Sequence, residues 1–321
     1  MLHVTPTNQL RQSAARKLSE RQQRIIRGMY LSEDSAPDVR PDSLASRVSA
    51  ALAVCPEGSL VSGLSALRLM DVQLPDGMPG DGTVTIAVPK STGFHSCRPE
   101  LQIQRLAVMP QRWRSNRPVA EPVHCWATAV LALAGANPWL PGRYPTPTAP
   151  GLFQHPRKVA FLRAVQLGDA LIRRSQTVMR YEEFAARFSA WGVRHPGKRI
   201  VQEHFSWVRG KTDSYAETWM RLMVVDAGFP APTVNYGVHG PNGWNYLDLS
   251  WPDRLIALEY HGRQHFDVPS QAKKDVYRRG NLQAFGWTIV ESTRSDLDQP
   301  GDLLRRLDAA FGRADQRTDL G

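Results

Sequence analysis

Cysteine is scarce in this chain: three among 321 residues, at Cys55, Cys97 and Cys125, far apart and odd in number. That excludes a disulfide framework, and no pair has the spacing of zinc ligands, so the thiols read as bystanders in a reducing cytosol. Long apolar runs are also missing. The longest goes from Cys125 to about Ala136 and then meets Asn137 and Pro138, short of the roughly 20 residues a spanning helix needs. Met1 to Arg11 lacks the apolar core of a secretory signal. The expectation is a cytoplasmic protein with no membrane partner. Glycine-rich phosphate loops and Ser/His/Asp nucleophile motifs are absent, and no internal repeat or low-complexity run interrupts the chain.

Charge is abundant and of one dominant sign. Forty Lys and Arg oppose thirty Asp and Glu, a net charge of +10. A basic protein of this size commonly meets a polyanion, and nucleic acid is the usual one. The excess is uneven: residues 1–200 hold 26 basic against 14 acidic residues, and residues 201–321 hold 14 against 16. Arg11, Arg16, Lys17, Arg21, Arg24 and Arg27 form the sharpest basic cluster, with a helix expected over 8–18 and a strand or small hairpin over 21–31. Such side chains suit DNA phosphates, where each contact adds salt-sensitive, sequence-independent affinity. A basic helix followed by a basic ribbon has the look of a truncated winged helix-turn-helix.

With 321 residues, two domains are expected. Helices are read at 43–54 and 62–70, strands at 83–89 and 101–108, and a buried helix over 122–136. Six prolines between Asn137 and Pro156 mark a loop or linker, followed by helices at 158–174 and 181–191. This divides the chain into an N-terminal module, 1–136; a Pro-rich linker with connecting helices, 137–204; and a C-terminal domain, 205–314. In the last, Ser214 and Glu217 form an S-x-x-E capping box, and Gly228 ends that helix. Strands follow at 233–238, 244–251 and 254–260, then a helix at 270–285, a strand at 287–291 and a last helix from Pro300. Trp244, Trp251 and Trp287 read as core.

The hairpin around Pro252–Asp253 carries the chemistry. If those two residues are the turn, Asp248 lies opposite Ala257 and Glu259 opposite Tyr246. Period-two alternation then puts Asp248 and Glu259 on one face as diagonal neighbours, with Cβ atoms roughly 7–8 Å apart. Two carboxylates at that spacing can converge on a hard cation, Mg2+ or Mn2+, which takes oxygen ligands and keeps several waters. His261 shares the parity of Glu259. The pattern D-(x)10-E-x-H fits the frame of the PD-(D/E)xK nucleases, with His261 where lysine usually stands. A metal-bound water is acidified and charge on the scissile phosphate is offset, and histidine can orient or deprotonate that water near neutral pH.

The stretch DLSWPDRLIALEYHGRQH, 248–265, followed by Asp275, Arg278, Leu282, Gly286 and Trp287 at D-x-x-R-x-x-x-L-x-x-x-G-W spacing, resembles the bacterial family catalogued as domain of unknown function 559. That family is similar to the very short patch repair endonucleases. YAETWMR, 215–221, and AGFPAP, 227–232, fit the same pattern, so the likeness covers about 205–314. IIRGMYL, 25–31, and SLVSGLSALRLMDV, 59–72, more weakly resemble the AbiEi-type antitoxin module, covering 1–130.

The resemblance implies roles. Asp248 and Glu259 become metal ligands, with Glu217 completing the acidic cluster. Gln264 and His265 lie at the water or the phosphate, and Asp275 and Arg278 support the site from the following helix. The chain departs from many relatives at His261, where they have Asp, and at Glu291, where they have Arg. The implied fold is α/β: a restriction-endonuclease-like mixed sheet flanked by helices, beside a separate N-terminal α/β module. The implied function is a magnesium-dependent DNA endonuclease of repair or defence, with catalytic residues Asp248, Glu259, His261 and His265. The alternative is a non-catalytic DNA-binding regulator of antitoxin type, with a cognate toxin or other protein as partner.

Overall fold

The computed structural model describes residues 4–6, 24–31, 40–76, 78, 82–135, 156–173, 178–191, 197–241, 243–262 and 269–319, less the side chains of 156–157, 269–276 and 317–319. The expected helix over 8–18, with Arg11, Arg16, Lys17 and Arg21, lies outside these residues. So do Gln264, His265, the Asp275 side chain and nearly all of the proline-rich stretch. The chain is α/β, with helices and mixed sheets in two compact units. One comprises 1–74, 79–145 and 185–202; the other comprises 75–78, 146–184 and 203–321. Among the described residues no helix is long and apolar enough to cross a membrane.

The first unit has a small antiparallel sheet of β1 (Val4–Pro6), β2 (Arg24–Ile26) and β3 (Met29–Leu31), ordered β1-β3-β2. Gly28, at φ 80°, supplies the left-handed turn between β2 and β3. A second sheet pairs β4 (Leu60–Val61) antiparallel to β5 (Val84–Pro89), and β5 parallel to β6 (Leu101–Leu106). Helices α1 (Leu44–Val54), α2 (Gly63–Leu69) and α3 (Pro122–Leu133) belong to this unit. Nearly every side chain of α3 is buried, with Trp126 at its centre. That accounts for its unbroken apolar sequence: a helix covered all round has no polar face to show. Helices α5 (Tyr181–Ala190) and α6 (Lys198–Phe205) follow further along the chain.

The second unit is built on a four-stranded mixed sheet, ordered β10-β9-β8-β7. Its strands are β7 (Thr233–Gly240), β8 (Gly243–Trp251), β9 (Ile256–Tyr260) and β10 (Thr288–Ser292). Only the β9–β10 pair is parallel, because helix α8 (Pro269–Ala284) carries the chain across between them. One face packs against α4 (Pro156–Leu171), α7 (Tyr215–Asp226), the short α9 (Arg294–Asp298) and α10 (Gly301–Asp319). Val159, Leu162, Val165, Met220, Met223, Leu249, Leu258, Val290 and Leu307 form that core. On the other face, Leu247, Ala257 and Trp287 meet Leu282 of α8.

Several features depart from the sequence reading: β1, β4 and α6 have no counterpart in it, and three further differences bear on the second unit. Helix α4, read as part of a linking segment, is a core element of the second unit. Its buried Asp169 accepts hydrogen bonds from the Arg209 amide (2.7 Å), Thr218 Oγ1 (2.8 Å) and Arg221 Nη2 (2.9 Å), which lock α4 to α7. Helix α9 was not foreseen; its capping box uses Thr293 and Asp296, within a stretch too short to show a period. Trp251 and Trp287 are core, but Trp244 is 63% exposed, since the β7–β8 ribbon runs out past the helices that cover the rest of the face.

Candidate active site

The site lies where β8 and β9 part company. Their backbone pairing runs Trp251↔Ile256, Ser250↔Ala257 and Leu249↔Leu258. This corrects the expected register by two residues, because the turn is longer than Pro252–Asp253. Pro252–Arg254 form a 3-10 turn and Leu255 follows in the left-handed region at φ 52°. A two-residue slip preserves the face of every side chain, but it sets Asp248 across from Glu259 instead of diagonal to it.

Beyond Leu249 the carboxylates take over the role of the ladder. The Asp248 amide donates to Glu259 Oε1 at 3.3 Å, and the Tyr260 amide donates to Asp248 Oδ2 at 2.9 Å. Alternation of faces also fails here. Val234 and Leu249 pack in the larger core, yet Val238 and Leu247 pack in the smaller one. Both strands therefore change sides between these positions, at Asn235, which has φ 51°, and at Asp248. A paired irregularity of this kind re-aims side chains beside a site.

Glu217 approaches from α7. Its backbone N–H is capped by Ser214 Oγ at 3.1 Å, while its Oε2 accepts from the Asp213 amide at 2.8 Å. The expected capping box is thus only half formed: Ser214 caps the Glu217 amide, but the Glu217 carboxylate takes the Asp213 amide and not that of Ser214, and the side chain is buried. Burial raises its pKa, against the pull of the Asp213 amide and Ser214. Asp248 is pushed well above the usual carboxylate range, first by burial, then by the charges of Glu259 and Glu217; the Tyr260 amide and Arg278 pull the other way. Asp248 thus feels two other acids, and its burial leaves little water to screen them.

Arg278 reaches in from α8, donating from Nη1 to Glu259 Oε2 at 2.8 Å and from Nη2 to the Tyr246 carbonyl at 2.5 Å. His261 continues β9, its amide donating to the Ser292 carbonyl at 2.8 Å. Its Nε2 lies 3.3 Å from Glu291 Oε1, and that carboxylate also pairs with Arg279 at 2.7 Å. Glu259, His261, Arg278, Arg279 and Glu291 line one shallow pocket with Leu282 and Ile289. The structure thus brings together Asp248, Glu259, Glu217 and Arg278, with His261 beside Glu259. Of the basic cluster, Arg24 is paired with Glu100 at 2.7 Å and Arg27 is exposed.

Sequence reasoning missed the Arg279–Glu291 pair, since residues on a helix and a strand twelve apart show no shared period. It also missed Asn235, though an asparagine amid strand residues is a fair signal of left-handed backbone. Among the described residues no group of three or more His, Cys, Asp or Glu has metal-holding geometry. The donors at Asp248 and Glu259 are nevertheless of the right kind for a hard cation, which takes carboxylate oxygens and supplements them with water. A divalent cation would also relieve the repulsion at Asp248.

No family model matches the chain, and no solved structure matches it. Two uncharacterized proteins of Mycobacterium tuberculosis, one from each of two strains, are each 32% identical to it over 176 residues. The match takes in 54% of this chain and 64% of theirs, so the chain spans less than two thirds of the curated relatives' length. Neither relative's name assigns an activity.

Proposed function

We propose that the second unit is a divalent-metal-dependent nuclease that hydrolyses phosphodiester bonds of DNA at Asp248 and Glu259. The observation that carries this reading is the pairing of half-buried Asp248 with buried Glu259 where β8 and β9 separate, with Glu217 near enough to add to the rise that burial causes in the Asp248 pKa. Gathering acids in a buried place costs stability, and such perturbed groups concentrate at functional sites. The resemblance to the very short patch repair endonucleases, carried by the stretch that holds Asp248 and Glu259, points the same way.

Asp248 and Glu259 would hold Mg2+ or Mn2+, with Glu217 behind them. Once bound, the cation acidifies water and offsets charge on the phosphate. His261, two residues beyond Glu259, would accept a proton from water at the site, with the Glu291 carboxylate, 3.3 Å from Nε2, orienting its ring. Arg278 holds Glu259 in place and offers its charge beside the phosphate position. The positive excess of the first unit draws in the polyanion.

The deciding experiment incubates purified protein with plasmid, linear and mismatched DNA, with and without Mg2+ or Mn2+, beside Asp248→Asn. Metal-dependent cleavage that the variant lacks supports the enzyme. A second reading is a non-catalytic nucleic-acid-binding regulator of antitoxin type. It draws on the Arg278–Glu259 and His261–Glu291 pairs, which engage with protein the groups that a nuclease turns toward metal and water. DNA binding without cleavage under every metal would select it.

A further inference from the structure

The second sheet sets two glutamates side by side. Glu259 on β9 and Glu291 on β10 are direct partners in the parallel ladder, one strand spacing, roughly 4.8 Å, apart, and both line the shallow pocket at α8. Like charges so placed repel. Two consecutive residues of α8 answer them: Arg278 Nη1 lies 2.8 Å from Glu259 Oε2, and Arg279 Nη2 lies 2.7 Å from Glu291 Oε1. The two pairs are not equivalent. Arg279 and Glu291 are about equally exposed, at 40% and 38%, so water screens them. The Glu259 side chain is only 7% exposed. Its Oε1 takes the Asp248 amide and its Oε2 takes the Arg278 guanidinium. Both oxygens that a divalent cation would use are thus engaged by protein, one of them by a positive charge. A dication and a guanidinium on the same carboxylate would repel each other where water screens weakly. One of them has to yield. Arg278 can: its side chain is 32% exposed and lines the pocket, and its planar fork matches two oxygens of a phosphate.

We propose that Arg278 is the switch of the Asp248–Glu259 site: it serves Glu259 as an internal cation until a phosphate of the entering nucleic acid takes its guanidinium, so that divalent cation and nucleic acid bind cooperatively. This rests on the nuclease reading and adds the regulation of its site. A cation arriving alone must evict the arginine with nothing to receive it. A phosphate arriving alone must draw the arginine from a buried carboxylate and leave that charge unpaired, which is costly. Together, each ligand takes the partner that the other displaces: the phosphate holds the guanidinium and the cation holds the carboxylate. The linkage is reciprocal, so the factor by which nucleic acid tightens cation binding is the factor by which the cation tightens nucleic-acid binding. The Arg278–Glu259 pair is then the resting state of the site.

The test titrates the full chain with Ca2+ by calorimetry, with and without a short mixed-sequence DNA duplex. Ca2+ is a hard cation that takes the same oxygen donors as Mg2+, and gel analysis confirms that the duplex stays intact. Wild type is expected to hold Ca2+ roughly 5- to 150-fold more tightly with the duplex than without it, the usual range of coupling between two sites. Arg278→Met keeps the apolar stem and drops the charge. It should bind Ca2+ more tightly than wild type when no DNA is present, and the duplex should add much less than it adds to wild type. Arg278→Gln leaves an N–H donor for the carboxylate and should behave alike; it decides the matter if the methionine variant does not melt cooperatively. Equal coupling in wild type and variants overturns the proposal. So does DNA-free Ca2+ binding that is no tighter in the variants than in wild type, which would make Arg278 a brace that Glu259 needs in order to hold a cation. Ca2+ that binds neither wild type nor variants, with DNA or without it, overturns it as well. A wild-type chain that couples the two ligands yet cleaves no DNA with Mg2+ or Mn2+ would end the nuclease reading and leave the switch in place.

Discussion

At the scale of single residues, the role proposed for Asp248 stands in opposition to stability. Its raised pKa means that the folded chain keeps a proton there at pH values where the unfolded chain has released it. Folded stability therefore falls as pH climbs from the ordinary aspartate value, roughly 4, through the raised one; Glu217 adds in the same direction. Denaturant melts in EDTA should show a less stable second unit at pH 8 than at pH 5, with Mg2+ restoring part of the loss. Asp248→Asn should flatten that pH dependence and raise neutral-pH stability by about 0.5–2 kcal/mol, the usual gain from relieving a functional position, while abolishing divalent binding in calorimetry. Unchanged binding would remove Asp248 from the site. For His261, the proton-accepting role predicts that His261→Ala slows cleavage by roughly 10²- to 10⁴-fold. Wild-type rates in that variant would make it a strand-end residue and direct attention to His265.

At the scale of elements, the decisive joint is between α4 and α7. Arg221 and Asp169 are both almost wholly buried, with side chains 4% and 0% exposed. Removing one partner strands a charge in the interior, so Arg221→Ala should cost about 3–5 kcal/mol. The α7 cap is a lesser joint: Ser214→Ala should cost about 1 kcal/mol, read by the same melts. Glu217 belongs to cap and site together. Glu217→Gln keeps an acceptor for the Asp213 amide, so a loss of divalent affinity at near-constant stability would identify its carboxylate charge as the working part. The same elements show how much was legible. Every strand and long helix of the second unit has its counterpart in the sequence, because alternation, capping residues and glycine stops are local. The β8–β9 register was off by two, because the left-handed turn at Leu255 leaves no mark in residue type.

At the scale of the molecule, charge follows the folded units. The first unit holds 20 Lys and Arg against 10 Asp and Glu; the second holds 20 against 20, so the whole excess of +10 sits in the first. A chain lacking residues 1–145 should bind DNA more weakly and with a flatter dependence on salt; an equal slope would show that the second unit does its own gripping. The cut must respect α4. A chain beginning at residue 201 loses Val159, Leu162, Val165 and Asp169 from its core. At roughly 1.5–3 kcal/mol for each large apolar side chain, that is comparable to a domain's whole stability of about 5–15 kcal/mol. Circular dichroism should show a cooperative melt for 146–321 and none for 201–321.

What the sequence determined alone was everything set by near neighbours: the α-β-β-β-α-β-α order read over 205–314, apart from the short α9, the N-cap at Ser214, and the acids at Asp248 and Glu259 in strands that must lie close. Tertiary structure decided what depends on which surfaces are covered. Trp251 and Trp287 are buried and Trp244 is not, though all three sit in similar strand sequence, because the helices stop short of the end of the β7–β8 ribbon. Helix α4 belongs to the sheet it packs on, across a proline-rich stretch that reads as a boundary. Asp248 owes its raised pKa first to burial, then to Glu259, eleven residues away, and to Glu217, thirty-one away. Proximity of that kind follows from packing α7 on the sheet, and no period in the chain encodes it.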